Sequence, residues 1–102
     1  MSFNRTPGKE PLNGGVLNGK ASSLPSPEYP LIAKQARASG PVEVEVLIDE
    51  GGNVVAAHSV SGHPLLQAAA VKAARQAMFT PTRLNGEPVM VRGILTYNFV
   101  TQ

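Results

Sequence analysis

Val42-Glu43-Val44-Glu45-Val46-Leu47-Ile48, then Asp49-Glu50-Gly51-Gly52-Asn53, then Val54 to Val60, is the stretch on which the fold turns. Val42, Val44, Val46 and Ile48 alternate with Glu43, Glu45 and Leu47, the period of two expected of a strand with one buried face and one mostly wet face. Turn-forming residues follow it and lead into a second apolar run. The two runs are therefore expected to pair as an antiparallel hairpin.

Working outward toward the N-terminus, Leu31, Ile32, Ala33, Ala36 and Ala38 mix with Lys34, Gln35 and Arg37. With Pro30 at the first turn and Gly40 beyond the end, this predicts a short helix over residues 30–39. Residues 1–27 hold Pro7, Pro11, Pro25 and Pro27 among several glycines, a composition that resists helix and ladder alike, and read as linker. Asn18-Gly19 within them favours a hairpin turn, so a short hairpin at 16–21 is the one expected exception.

Toward the C-terminus, residues 65–78 are alanine-rich, with Leu66, Ala69 or Ala70, Ala73 and Ala77 at helical spacing. Pro81 is expected to end this second helix, and Asn85-Gly86 to make another turn. A long final strand over 89–100 follows, with Val91, Leu95, Tyr97 and Phe99 on one face and Gly93 as a bulge or bend.

The order helix, strand, strand, helix, strand predicts an α+β domain over 28–102, with two helices on one face of a three-stranded antiparallel sheet. A last strand reached through a helix is expected to lie beside the first strand, which makes it an edge. Main-chain groups along such a strand alternate in direction, one parity for each side. An exposed edge of this length is a hazard unless it is covered or used.

Composition narrows the function. Apolar residues form 42% and charged residues 16% of the chain, which fits a folded domain rather than a disordered one. The net charge of +2 lies wholly in residues 1–27, so the folded part lacks the basic field that draws nucleic acid. No apolar run is long enough to span a bilayer, and any anchor or export signal is expected outside this chain.

Cysteine is absent, which excludes thiolate chemistry and disulfides. His58 and His63 are the only histidines, too few for a metal site. With Asp49, Ser59 and Ser61 they make a poor triad lacking an oxyanion pocket. Gly14 to Lys20 imitates a phosphate loop, but Ala21 replaces the required hydroxyl and Pro25 and Pro27 forbid the following helix. Neither an enzyme nor a cofactor site is expected. Lys34, Arg37, Lys72 and Arg75 read as a solvated helical face, and the few aromatics as anchors of the core.

Pro27-Glu28-Tyr29-Pro30, Ala33 and Ala36, Gly40-Pro41-Val42-Glu43-Val44, Ile48-Asp49-Glu50-Gly51-Gly52-Asn53-Val54, Val60-Ser61-Gly62, Ala69-Ala70 with Ala73, Phe79-Thr80-Pro81 and Tyr97-Asn98-Phe99 together resemble the TonB C-terminal domain family. Ala77-Met78 stands where many relatives carry a bulky aromatic, and Ser26 where well-known members carry glutamine. The resemblance implies the periplasmic domain of an energy transducer anchored in the inner membrane by an N-terminal helix and driven by ExbB/ExbD-like motor proteins. It implies that the TonB box of an outer-membrane receptor is added as a strand along Val91, Arg92, Gly93, Ile94, Leu95, Thr96, Tyr97, Asn98 and Phe99. The segment Ser26, Pro27, Glu28, Tyr29 and Pro30 is implied to lie close by. It is also compatible with a TonB-like domain serving a sensor or cell-wall complex, and with a monomer or a strand-exchanged dimer. A small nucleic-acid-binding domain is a weaker alternative read from the basic helices.

Overall fold

The computed structural model describes residues 11–100. The hairpin at the centre of the sequence forms as expected: β3, Gly40–Ile48, pairs antiparallel with β4, Val54–Ser61. Val42, Val44, Val46 and Ile48 are all buried, because α2, Pro64–Arg75, covers that face of β3 and β4. Leu47, on the opposite face, is buried as well, so the wet face is wet only along part of the strand.

The loop between β3 and β4 is fixed by its own side chain. Asp49 Oδ1 accepts from the main-chain N–H groups of Gly51 and Asn53, each at 2.9 Å, an arrangement that substitutes a carboxylate for a turn carbonyl. Gly52 then approaches the chain after α2, where the Phe79 N–H donates to the Gly52 carbonyl at 2.9 Å.

The first helix, α1, runs only over Leu31–Gln35. Arg37, at φ 56°, adopts the left-handed conformation usually left to glycine. The Ala38 N–H donates to the Ala33 carbonyl at 2.9 Å and the Arg37 N–H to the Lys34 carbonyl at 3.1 Å. This paired closure ends the helix before Gly40 is reached. The second helix also stops early, at Arg75 rather than at Pro81. The residues beyond it are recruited into β5, Met78–Phe79, whose tertiary partner is β2, Ala21–Ser23. The start of α2 is set by His63, whose Nδ1 accepts from the Leu65 N–H at 3.1 Å, with Pro64 in the first turn. Leu66, Ala70, Ala73, Ala74 and Ala77 are buried, and small side chains let the helix lie close to the sheet.

Asn85 and Gly86, at φ 53° and 84°, make the expected tight turn, joining β6, Thr82–Leu84, to β7, Glu87–Val89, in an exposed two-stranded arm. The last strand, β8, Val91–Phe99, then lies antiparallel beside β3, pairing Val42 with Tyr97, Val44 with Leu95 and Val46 with Gly93. The crossover to the first strand of the hairpin is the expected one.

Four expectations are corrected here. The sheet is not three-stranded and antiparallel: β1, Leu12–Val16, joins it in parallel, giving a mixed four-stranded sheet ordered β1-β8-β3-β4. Consequently β8 is an interior strand among the described residues, and residues 11–23 are built into the domain rather than serving as linker. The hairpin expected at 16–21 does not form. Asn18–Lys20 is a single turn of 3-10 helix, and neither Asn18 nor Gly19 has the positive φ that a hairpin turn demands.

Candidate peptide-binding edge

The outer side of β8 is where partner contact is expected, and the hydrogen bonds made there show which main-chain groups point outward. Leu12 and Leu17 donate their N–H groups to the Met90 and Ile94 carbonyls at 2.9 and 2.8 Å. Asn18 continues the ladder with its side chain: Nδ2 donates to the Thr96 carbonyl at 2.7 Å, and Oδ1 accepts from the Thr96 N–H at 2.8 Å. The carboxamide thus imitates a peptide unit and cannot turn away into a hairpin, which explains the failed turn at 18–19. By alternation, even-numbered residues of β8 present their main chain to this side and odd-numbered residues present theirs to β3.

Side chains alternate in the opposite sense of use. Val91, Gly93, Leu95, Tyr97 and Phe99 are buried on the helix-covered face, whereas Arg92 and Asn98 are exposed and Ile94 and Thr96 half-buried. No register break occurs at Gly93 against β3. The irregularity lies in β1, between Asn13 and Gly15. Gly93 instead permits a close approach, since a Cβ there would stand 2.4 Å from Leu17 Cδ1 and 2.7 Å from the Gly15 carbonyl oxygen. Leu17, 2% exposed, occupies the space above Gly93 that a side chain at that position would fill.

The segment before α1 reaches β8 through one residue. Tyr29 packs edge-on against Phe99, ring centroids 5.3 Å apart, and its hydroxyl donates to the Ala38 carbonyl. The Lys34 ammonium lies 5.8 Å from the same ring, close enough for a cation–π attraction. Ser26, Pro27, Glu28 and Pro30 face elsewhere, lining a groove of about 440 Å³ with Ala69, Lys72 and Gln76 of the α2 side. The two sets of residues expected to act together meet at the Tyr29–Phe99 ring contact, and sequence reasoning missed the outer neighbours of β8, Leu17 and Asn18. Asn18-Gly19 carries the local chemistry of a turn, which hides the contact that Asn18 makes with Thr96.

The histidines are separated by role: His63 caps α2, and His58 Nε2 sits 3.2 Å from Glu45 Oε1 on the exposed sheet face. No group of three potential metal ligands is found among the described residues. Gly14 to Lys20 lies in β1 and the 3-10 turn after it, and a strand rather than an α-helix follows, so no helix N-terminus is placed to cradle a phosphate.

A family model described as Gram-negative bacterial TonB protein C-terminal matches residues 25–101. The chain belongs to the TonB C-terminal family. Its fold is similar to that in the solution NMR structure of the Pseudomonas aeruginosa TonB CTD, with a TM-score of 0.66 at 24% identity, covering 86% of this chain and 94% of that one. No curated protein sequence matches. The family match begins at residue 25, so the strand that closes β8 lies in the part of this TonB C-terminal chain outside it.

One buried group on β8 yields a stability prediction. The Tyr97 hydroxyl is buried with no hydrogen-bond partner among the described residues, and burial pushes its pKa up to about 12. Leaving such a group unpaired costs about 1–3 kcal/mol, so Tyr97→Phe is expected to raise the melting temperature. Above pH 10 the unfolded chain loses the Tyr97 proton while the folded chain keeps it until about pH 12. The parent therefore loses up to about 3 kcal/mol of stability as pH rises through that window, and the phenylalanine variant is spared this loss. Denaturant melts at pH 8 and pH 11 measure both effects. Equal alkaline losses in the two proteins would contradict the assignment.

Proposed function

We propose that this domain is a periplasmic protein-interaction module of a TonB-type energy transducer, and that it takes the TonB box of an outer-membrane receptor as an added strand along β8. The observation that carries the reading is the parallel seating of β1 on this strand: the outward main chain of Met90, Ile94 and Thr96 accepts an extended segment that reaches it from outside the hairpin. The receptor segment takes the place of β1. Main-chain bonds provide the grip and side-chain seats the choice. A strand held along its length loads several bonds together, which suits the transmission of a pull and requires no chemistry at a side chain. The motor proteins and the membrane anchor act through parts of the transducer beyond this domain.

The experiment is a titration of the isotopically labelled chain with TonB-box peptides. The amides of Ile94 and Thr96 are expected to shift together with those of Leu12 and Leu17 as β1 yields. A titration in which peptide binds but leaves all four unmoved would place binding elsewhere. A proline scan supplies the mutational counterpart, with alanine at the same sites as control for lost packing. Ile94→Pro and Thr96→Pro remove outward N–H donors and are expected to leave the sheet folded while weakening peptide binding by about 0.5–1.5 kcal/mol for each bond lost. Leu95→Pro and Tyr97→Pro break the ladder to β3 and are expected to lower stability by about 3 kcal/mol or more.

A further inference from the structure

The features of β1 that hold it on β8 are side-chain features, and they are more selective than strand pairing requires. Main-chain bonds alone would accept almost any extended segment. Here Leu17 is seated above Gly93, and a Cβ added at Gly14 would stand 2.8 Å from both Leu17 Cδ2 and Val91 Cγ1. The next residue, Asn18, grips both main-chain groups of Thr96 with one carboxamide. Aspartate could not supply the donor, and a longer or branched apolar side chain could not supply either bond. Gly93 is the residue that makes the seat, since any side chain there would occupy it.

We propose that residues 12–18 are an internal stand-in for the partner strand, and that the β8 edge reads an extended peptide, parallel to β8, carrying leucine over Gly93 followed directly by asparagine opposite Thr96. This rests on the reading of β8 as the peptide-binding strand and adds which sequence it selects. Gly93 and Thr96 are then the specificity-determining positions. The internal segment competes with the partner, so the apparent affinity of the intact chain is reduced by the fraction of molecules in which β1 has left the edge.

The test uses the full chain carrying Leu17→Ala, which weakens the internal occupant and leaves the seat open. The probe is a synthetic peptide of residues 12–20, Leu-Asn-Gly-Gly-Val-Leu-Asn-Gly-Lys, compared with versions bearing alanine at the second leucine or aspartate at the second asparagine. The parent peptide is expected to bind the variant about tenfold or more tighter than it binds the unmodified chain, to raise its melting temperature, and to shift the Ile94 and Thr96 amides. Both altered peptides are expected to bind about tenfold or more weakly than the parent peptide.

Three equal affinities with those amides shifting would overturn the sequence preference while leaving strand addition intact. Binding that never moves Ile94 and Thr96 would remove the underlying reading and the preference with it. A concentration-dependent dimer of the unmodified chain that Leu17→Ala abolishes would assign the Leu-Asn pair to a second copy and overturn the proposal. Should Leu17→Ala fail to fold alone, peptide-induced folding is itself the supporting result. Asn18→Asp, which retains the leucine and sets a carboxylate against the Thr96 carbonyl, repeats the comparison in a folded background.

Discussion

Gly52→Ala is expected to destabilise the domain more than any other single methyl group added to it, by about 2–6 kcal/mol when backbone strain and overpacking are taken together. Gly52 has φ +88°, and a Cβ built on it would stand 1.9 Å from the Phe79 carbonyl oxygen and 2.9 Å from the carbonyl carbon. Both obstacles are main chain, so no rotamer change relieves them. Moving the two segments apart would break the bond from the Phe79 N–H to the Gly52 carbonyl and pull β5 from its place beside β2. Gly51→Ala is the control, because its nearest neighbour at 3.2 Å is the flexible end of Asn53. In a domain with total stability of about 5–15 kcal/mol, the first variant should melt far earlier than the second. Equal melting temperatures would mean that the loop does not dock on Phe79 as described.

Leu17→Ala carries the other large effect. Leu17 is 2% exposed and belongs to the main apolar core, so truncation loses both its transfer energy and the packing above Gly93, where no side chain stands to collapse into the space. The expected cost is about 2–5 kcal/mol. The same change at Val16, which is 65% exposed on the adjoining position, should cost little. Hydrogen exchange gives a second readout: the amides of Leu17 and Thr96 should lose protection in Leu17→Ala, while those of Val44 and Val46 in the sheet centre keep theirs under conditions where the domain remains folded. Protection at Leu17 unchanged from the parent would show that β1 is held by its main chain alone.

These two residues also mark where the sequence could and could not be read. The loop at 49–53 was legible because its chemistry is local: an aspartate, two glycines and an asparagine between two β-branched runs admit few structures, and Asp49 satisfies the turn from within it. The strand β3 and the buried stripe of α2 were legible because burial of one face imposes a period that survives in the residues. Helix ends were misplaced where a closure depended on conformation rather than composition, as at Arg37, which takes a left-handed φ without being glycine, and at Ala77 to Phe79, which leave the helix to meet β2. The family resemblance pointed to β8 but supplied no occupant for its outer side.

The sequence by itself determined an α+β domain, the antiparallel hairpin at its centre, the placement of the last strand beside β3 with an outer edge, and membership in the TonB C-terminal family. Only the tertiary structure decided that Leu12–Val16 closes that edge, that even-numbered residues of β8 face outward, and that Asn18 is a clamp rather than a turn. The physical reason is the range of the interactions. Periodicity, capping and turn chemistry act between residues a few positions apart, whereas Asn18 and Thr96 are separated by 78 residues. Leu17 is given its meaning by a side chain absent from Gly93. A missing Cβ leaves no period to read until the fold brings another residue to fill it.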